Sequence, residues 1–313
     1  MTRSARHRVE YIIALGVRRV VRLLPNRAAL AIGAAIGLVV YGLDRRHRQV
    51  AKLNLLAAFP ARTARERRRI SRSVFIHLGR LLMGFLKFGT MSRDQMRALI
   101  DVEGEDRIRQ ALGKGKGVLI LAGHFGFWEM HALGHSLLIG PMSVMVRPLD
   151  NPFLNDLLER ARGATGTTVI HRRGGLRRAM RALAANHSVG FLIDQHIHGP
   201  DAVYVDFFER PAATTSALAA LALRTGAPVI PVFTLPLPGG RYRLVYESPV
   251  EPPEPDDPDA NRVFMQRCTD VLEMYVRRYP ELWLWMHRRW REPAPSPSEV
   301  QAGASADSRE ART

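Results

Sequence analysis

The chain has 313 residues, 46% hydrophobic and 24% charged, which suffices for a full core over one or two domains and excludes a disordered or fibrous protein. Its single cysteine, Cys268, excludes an internal disulfide and reads as a small core residue of a helix. The net charge of +17, carried mostly by arginines spread along the chain, predicts a polyanionic neighbour: nucleic acid, anionic lipid or an acidic protein.

In chain order, residues 10–24 set Tyr11, Ile12, Leu15, Val20, Leu23 and Leu24 against Arg18, Arg19 and Arg22 at helical spacing. That pattern is a basic amphipathic helix suited to an anionic lipid surface. Residues 28–43 are apolar but only 16 long, short of the about 20 that a span requires. The run ends in Asp44-Arg45-Arg46-His47-Arg48, so an interfacial or shallowly inserted helix is expected. The competing reading is a pair of ordinary core helices. Basic residues within the apolar part and the lack of a cleavage site speak against a signal peptide. Residues 45–90 read as helical, with a break at Pro60 and a new N-cap at Thr63. Arg65, Arg67, Arg68, Arg69 and Arg72 then form a basic face, either solvated or laid on lipid headgroups.

From residue 101 the pattern alternates. Strands are expected near 102, at 118–121, 142–146, 167–170, 189–193 and 229–235, with a final antiparallel strand at 242–246. Helices are expected at 151–162, 175–185, 213–224 and 260–278, followed by an aromatic cap at 280–290. The predicted fold class is therefore α/β: a central, mostly parallel sheet flanked by helices, with an N-terminal helical membrane-associating region. The expected divisions are 1–90 for the helical region, 91–291 for the α/β domain and 292–313 for a disordered tail rich in Pro, Ser, Ala and charge.

The chemistry concentrates in GVLILAGHFGFWEMH, residues 117–131. An apolar strand runs into a glycine, then His124, then Glu129 in the first turn of a helix. His124 thus stands at the carboxyl end of a strand, where open α/β sheets bind ligands. On one continuous helix, residues five apart point about 140° from each other. With His124 in the turn instead, Glu129 can fold back, accept a hydrogen bond from one imidazole nitrogen and leave the other to take a proton. Backbone N–H groups at 125–128 are candidates for an oxyanion site. The bland alternative is a buried histidine and a surface glutamate. Other strand ends lead into Arg147, into His171-Arg172-Arg173 and into Asp194-Gln195-His196. An arginine there favours a phosphate or carboxylate, and Asp194 can pair with it or hold a substrate hydroxyl. Structural ion pairs are the alternative for each. His131 and His135 lie four apart on a helix but lack the Glu of a His-Glu-x-x-His pattern, and no metal site is expected.

Several blocks together match a known family: RRHRQVAKLNLLAAFP (45–60), SVFIHLGRLL (73–82), GKGVLILAGHFGFWEM (115–130), VMVRPLDNPFL (144–154), VGFLIDQ (189–195), the stretch 205–233, and PELWLWMHRRWR (280–291). The sequence resembles the bacterial lipid A biosynthesis (lauroyl/myristoyl) acyltransferases. That group also takes in mycobacterial phosphatidylinositol mannoside acyltransferases and has a His-x4-Asp/Glu motif like that of lysophospholipid acyltransferases. The resemblance implies transfer of a fatty acyl group, usually from acyl carrier protein, to a hydroxyl of a membrane glycolipid at the cytoplasmic face of the inner membrane. It implies His124 as general base with Glu129 as its partner, and Arg147 and Asp194 as substrate-positioning residues. No cofactor is implied beyond an acyl carrier protein or coenzyme A thioester as co-substrate. Expected partners are acyl carrier protein, anionic membrane lipid and a glycolipid acceptor, most simply a lipid A precursor. Phe127, Glu209 and the lack of an acidic residue in 83–88 depart from the family pattern and bear on the acceptor more than on the chemistry. The rivals are a phosphatidylinositol mannoside or lysophospholipid acyltransferase and, in another class, a membrane adaptor or a basic nucleic-acid-binding protein. The terminal tryptophan block argues against the lysophospholipid type, and no nucleic-acid recognition motif is present.

Overall fold

The computed structural model describes residues 3–146, 148–171, 174–254 and 256–291. Four helices come first: α1 (Arg3–Leu23), α2 (Asn26–Leu43), α3 (Arg45–Ala58) and α4 (Ala64–Phe88). The breaks between them are local. Pro25 precedes α2, and Asp44 caps α3 by accepting the His47 N–H at 3.0 Å. Thr63 and Glu66 form a reciprocal capping box that starts α4 at the expected place.

α2 and α4 touch through their backbones. Gly33 faces Gly79 and Gly37 faces Phe75, so the helices are antiparallel, and a Cβ on Gly33 or Gly79 would strike the other residue's carbonyl. Outside this contact both N-terminal helices are open. Only Ala29, Gly33 and Gly37 of α2 are buried, while Leu23, Val39 and Leu43 stand exposed, Leu43 at 78%. They are not ordinary core helices. α2 is long and apolar enough, by length and composition, to cross a membrane.

The α/β part follows as α5 (Arg93–Arg97), β1 (Ile100–Glu103), α6 (Glu105–Gly113), β2 (Val118–Ala122), α7 (Trp128–Leu138), β3 (Met142–Val146), α8 (Pro152–Gly163), β4 (Thr168–His171), α9 (Gly175–Ala184) and β5 (Ser188–Leu192). It continues with β6 (Ala202–Asp206), β7 (Pro211–Thr215), α10 (Ala217–Thr225), β8 (Val229–Leu237), β9 (Arg241–Tyr246) and α11 (Ala260–Arg278). The main sheet has the order β1-β9-β8-β2-β5-β3-β4. Every neighbouring pair is parallel except β8 and β9, so the expected mostly parallel sheet is present. β2 lies mid-sheet and is buried along its whole length. Its alternate residues serve two cores: Leu119 and Leu121 pack on one face, Val118 and Ile120 on the other. An unbroken apolar run is what a strand covered on both faces requires. The first of these cores includes Ile70 and Val74 of α4 and Cys268 of α11, so the helical region and the sheet share packing.

One expected element is corrected. Residues 213–224 do not form a single helix. Pro211–Thr215 instead pairs antiparallel with Ala202–Asp206 as a separate hairpin, and α10 begins only at Ala217. The alanines favour a helix locally, but Ser216 N–H bonds to Asp201 O at 2.9 Å and the β-branched Thr214 and Thr215 take the strand.

Candidate active site

Strand register brings the site together. Ala122, the last residue of β2, pairs with Leu192, the last of β5. One more ladder bond, Ile193 N–H to Ala122 O at 3.0 Å, carries the pairing past both ends. His124 and Asp194 each lie two residues beyond that matched pair and therefore emerge side by side. The His124 Nδ1 is 2.8 Å from Asp194 Oδ1, and the His124 backbone N–H donates to Asp194 Oδ2 at 2.7 Å. Trp283 Nε1–H donates to the same Oδ2 at 2.8 Å. Both oxygens of a carboxylate only 3% exposed are thus satisfied.

These contacts set the charges. Burial would push the Asp194 carboxyl up, but the His124 ring, its N–H and Trp283 hold it down at about 2. Burial would lower His124, and the Asp194 carboxylate reverses this, so its pKa is raised above 6.5 with a smaller contribution from Glu129. An ionised Asp194 makes Nδ1 the protonated nitrogen of the neutral ring, leaving Nε2 as the base. Nε2 lies 3.3 Å from the side-chain nitrogen of Gln195, and the His124 ring meets Trp128 in a T-shaped contact with 5.3 Å between centroids. The His124 side chain keeps 17% of its surface exposed, so the base is accessible.

The turn that carries His124 is stitched down at several points. Leu284 N–H donates to His124 O at 3.1 Å and Gly126 N–H to Leu282 O at 2.9 Å, which makes Phe125 and Trp283 an antiparallel bridge. Phe127 N–H donates to Thr234 O at 3.1 Å, and His77 Nε2 lies 3.0 Å from Gly126 O. Gly126 has φ +57°, and a Cβ there would strike the Thr234 carbonyl, so only glycine fits. Among the expected oxyanion donors, the N–H groups of Gly126 and Phe127 are therefore already engaged, which leaves those of Phe125 and Trp128.

Two further expectations change. Glu129 does not orient His124. From the first turn of α7 it reaches α8 and takes a bidentate pair from Arg162, with Nε to Oε2 at 2.9 Å and Nη2 to Oε1 at 2.7 Å. The fork of an arginine matches both carboxylate oxygens, and the position beside His124 is already filled by Asp194. Asp194 is thus the partner of the histidine. Arg147, Arg172, Arg173 and the tail 292–313 lie outside the described residues. Sequence reasoning missed Arg162, which reads as an ordinary basic residue of a helix's last turn. It also missed Trp283 as a ligand of Asp194, although the terminal tryptophan block had marked that stretch. Arg289 of the same block is buried at 1%, donates to Ala213 O and lies over the Phe207 ring.

A histidine–carboxylate pair at the carboxyl edge of a mostly parallel sheet, with one imidazole nitrogen accessible, defines a site for acid–base chemistry. The model of the bacterial lipid A biosynthesis acyltransferases matches residues 1–292, and the chain belongs to that family. It is therefore an acyltransferase. Similar proteins include the lipid A biosynthesis palmitoleoyltransferase of Escherichia coli K12, 29% identical over 274 residues, covering 86% of each chain. The lauroyltransferase of the same organism is 28% identical over 285 residues, covering 89% of this chain and 90% of its own. The myristoyltransferase is 24% identical over 303 residues, covering 96% and 92%.

Proposed function

We propose that this protein moves a fatty acyl group from the thioester of acyl carrier protein to a hydroxyl of a lipid A precursor, at the cytoplasmic face of the inner membrane. The observation that carries the chemistry is the 2.8 Å contact of His124 Nδ1 with a buried, ionised Asp194, which leaves Nε2, 3.3 Å from the Gln195 side-chain nitrogen, as the base. In this reading Nε2 takes the proton of the acceptor hydroxyl as its oxygen attacks the thioester carbonyl carbon. The tetrahedral oxyanion forms near the Phe125 and Trp128 N–H groups. As it collapses, the C–S bond breaks, and the imidazolium returns its proton to the departing thiolate. Asp194 stabilises the imidazolium in between. A positioned base contributes typically ~10²–10⁴-fold. A thioester is already activated, so the bond change balances with no further reactant.

The Glu129–Arg162 pair ties α7 to α8 beside this centre. Arg147, just beyond β3, is proposed to hold an acidic group of the acceptor, on the strength of its place at a strand end and the family resemblance. The exposed apolar faces of α1 and α2 support attachment to the membrane from one side. An acidic carrier protein suits a chain of net charge +17.

The test is acyl transfer followed by product mass, with acyl carrier protein and coenzyme A thioesters each offered to a lipid A precursor. His124→Ala should lose activity by at least the ~10²-fold expected of a general base, with the fold retained. Near-normal turnover in that variant rejects the mechanism. Equal use of coenzyme A thioesters rejects the carrier protein as the preferred donor.

A further inference from the structure

α3 carries a buried amide where its pattern calls for an apolar side chain. Its buried residues are Ala51, Asn54, Leu55 and Ala58, spaced three and four apart and so on one face. Asn54 is 8% exposed in the middle of that stripe. Asparagine is a weaker helix former than alanine or leucine, and a buried amide without partners is unfavourable, so both local effects disfavour this residue. A tertiary contact compensates. Asn54 Nδ2 lies 2.8 Å from Trp285 O and 2.7 Å from His287 O. A carbonyl only accepts, so the atom between the two is the amide nitrogen, and both of its protons are used.

Those two carbonyls belong to the segment that holds the catalytic pair. The segment is folded back on itself, with Trp285 N–H donating to Trp283 O at 3.0 Å and Trp285 Nε1–H to Pro280 O at 2.6 Å. Pinning it on both sides of Met286 fixes its place against α3. From there it makes two contacts with the site. Trp283 Nε1–H holds Asp194 Oδ2 at 2.8 Å, and Leu284 N–H holds His124 O at 3.1 Å. A trans peptide unit is planar, so the carbonyl of His124 and the N–H of Phe125 point in opposite directions. Holding the one aims the other, and the Phe125 N–H is one of the two left for the oxyanion. α4 grips the facing strand of this bridge, with His77 Nε2 3.0 Å from Gly126 O. The N-terminal helices thus reach the centre through buried side chains that lie outside the reacting atoms.

We propose that Asn54 is a positioning residue of the acyl transfer: by holding the carbonyls of Trp285 and His287 it keeps the Trp283 indole on Asp194 and the Phe125 N–H aimed at the oxyanion. The proposal rests on the acyltransferase mechanism above. Without the amide, two carbonyls lose their donor and the segment relaxes toward other partners. A displacement of about 1 Å in the groups that act on the transition state can cost about 10²-fold in rate. Such a loss falls on the transition state and not on substrate binding, so it enters kcat and leaves KM.

The experiment uses the full-length protein with the thioester donors and lipid A precursor of the test above. Asn54→Leu suits the apolar stripe and removes both donated hydrogen bonds. It should lower kcat by roughly 10- to 100-fold while KM for donor and acceptor stays within about threefold of wild type. In the Trp283→Phe background the same substitution should cost less, because one of the two contacts it acts through is already gone. Thermal melting shows whether each variant is folded at the assay temperature. If Asn54→Leu does not fold, Asn54→Ala goes through the same cycle, since it adds no bulk and leaves room for a water on the two carbonyls. A folded variant with wild-type kcat overturns the proposal and leaves the mechanism standing. So does a loss of kcat as large in the Trp283→Phe background as in the wild type. A wild-type chain that transfers no acyl group from either donor removes the mechanism itself, and the proposal with it.

Discussion

His124, Asp194 and Trp283 act as one unit because each fixes the next. The indole N–H is one of two donors to Asp194 Oδ2, and it comes from a side chain only 1% exposed. Trp283→Phe keeps the packing and removes the donor. A hydrogen bond to a charged group is worth about 1.5–3 kcal/mol, so kcat should fall roughly 10- to 100-fold. In an Asp194→Asn background the same substitution should cost much less, since the interaction it removes is then weakened. A double-mutant cycle measures this, and equal losses in both backgrounds would make Trp283 merely structural. The pH profile gives an independent check. Activity requires neutral His124, whose pKa is raised above 6.5, so the acid limb of the wild-type profile should lie above pH 6.5. Removing the Asp194 charge leaves burial opposed only by the weaker field of Glu129. The acid limb of Asp194→Asn should therefore move to lower pH than in the wild type even as the maximal rate drops. Glu129→Gln should move it less, because Glu129 acts on His124 through space and without a hydrogen bond. For stability the sign is opposite. The Asp194 carboxyl is lowered from 3.8 to about 2, so its contribution is complete above pH 3.8 and is lost as the pH falls through about 2. Acid denaturation of the wild type and of Asp194→Asn, followed by circular dichroism, should diverge only above that window.

Among the elements, the α2–α4 pair is held by close backbone approach rather than by large side chains. Gly79→Leu would drive a side chain into the Gly33 carbonyl, which cannot rotate away. Overpacking of this kind costs typically about 1–3 kcal/mol, and more where backbone must move. A lower melting temperature and faster proteolysis of the N-terminal region are the expected readouts. Gly42, near the end of α2, has open space where a Cβ would go, so Gly42→Ala is the matched control and should leave the melting temperature unchanged or slightly raised. α1 is joined to the α/β part more lightly. Asn151 caps α8 through its Oδ1 while its Nδ2 donates to His7 O and Glu10 Oε2 of α1. α8 also carries Arg162, so the helix next to α1 is the one that pairs with Glu129 beside the site.

Over the whole molecule, charge and apolar surface lie together at the N-terminal helices. Arg65, Arg68, Arg69 and Arg72 form one exposed row on α4, and Arg45 and Arg46 lie just past the end of α2. Near an anionic bilayer each such residue is worth about 1 kcal/mol at low salt. Reversing Arg65, Arg68, Arg69 and Arg72 to glutamate should weaken binding to phosphatidylglycerol-containing vesicles by more than tenfold and leave binding to neutral vesicles nearly unchanged, measured by vesicle co-sedimentation. High salt should release the wild-type chain from membranes only in part, because salt screens the arginines and not the buried apolar faces of α1 and α2. A chain that stays in the supernatant at low salt with both vesicle types would overturn membrane attachment.

Much of this was legible in the residues. Val118–Ala122 is too apolar for a half-exposed strand, the alternation after residue 100 demands a mostly parallel sheet, and Thr63 with Glu66 announces α4 by a local hydrogen-bond pattern. These are short-range signals, set by periodicity and by bonds within a few residues, so the sequence alone determined the class of fold and placed His124 at a strand end. It also marked the family and the tryptophan block. The partner of His124 was a different kind of question. Glu129 is near in sequence, but Asp194 is near in space, because β5 lies beside β2 and their last residues are in register. Strand order and register come from packing many distant side chains into two cores, and nothing within one segment encodes them. The same applies to Arg162, brought to Glu129 by the docking of α8, and to the hairpin of β6 and β7, where pairing overrode the helical preference of the alanines. The sequence thus settled which residues carry the chemistry-bearing atoms, and only the tertiary structure decided which of them touch.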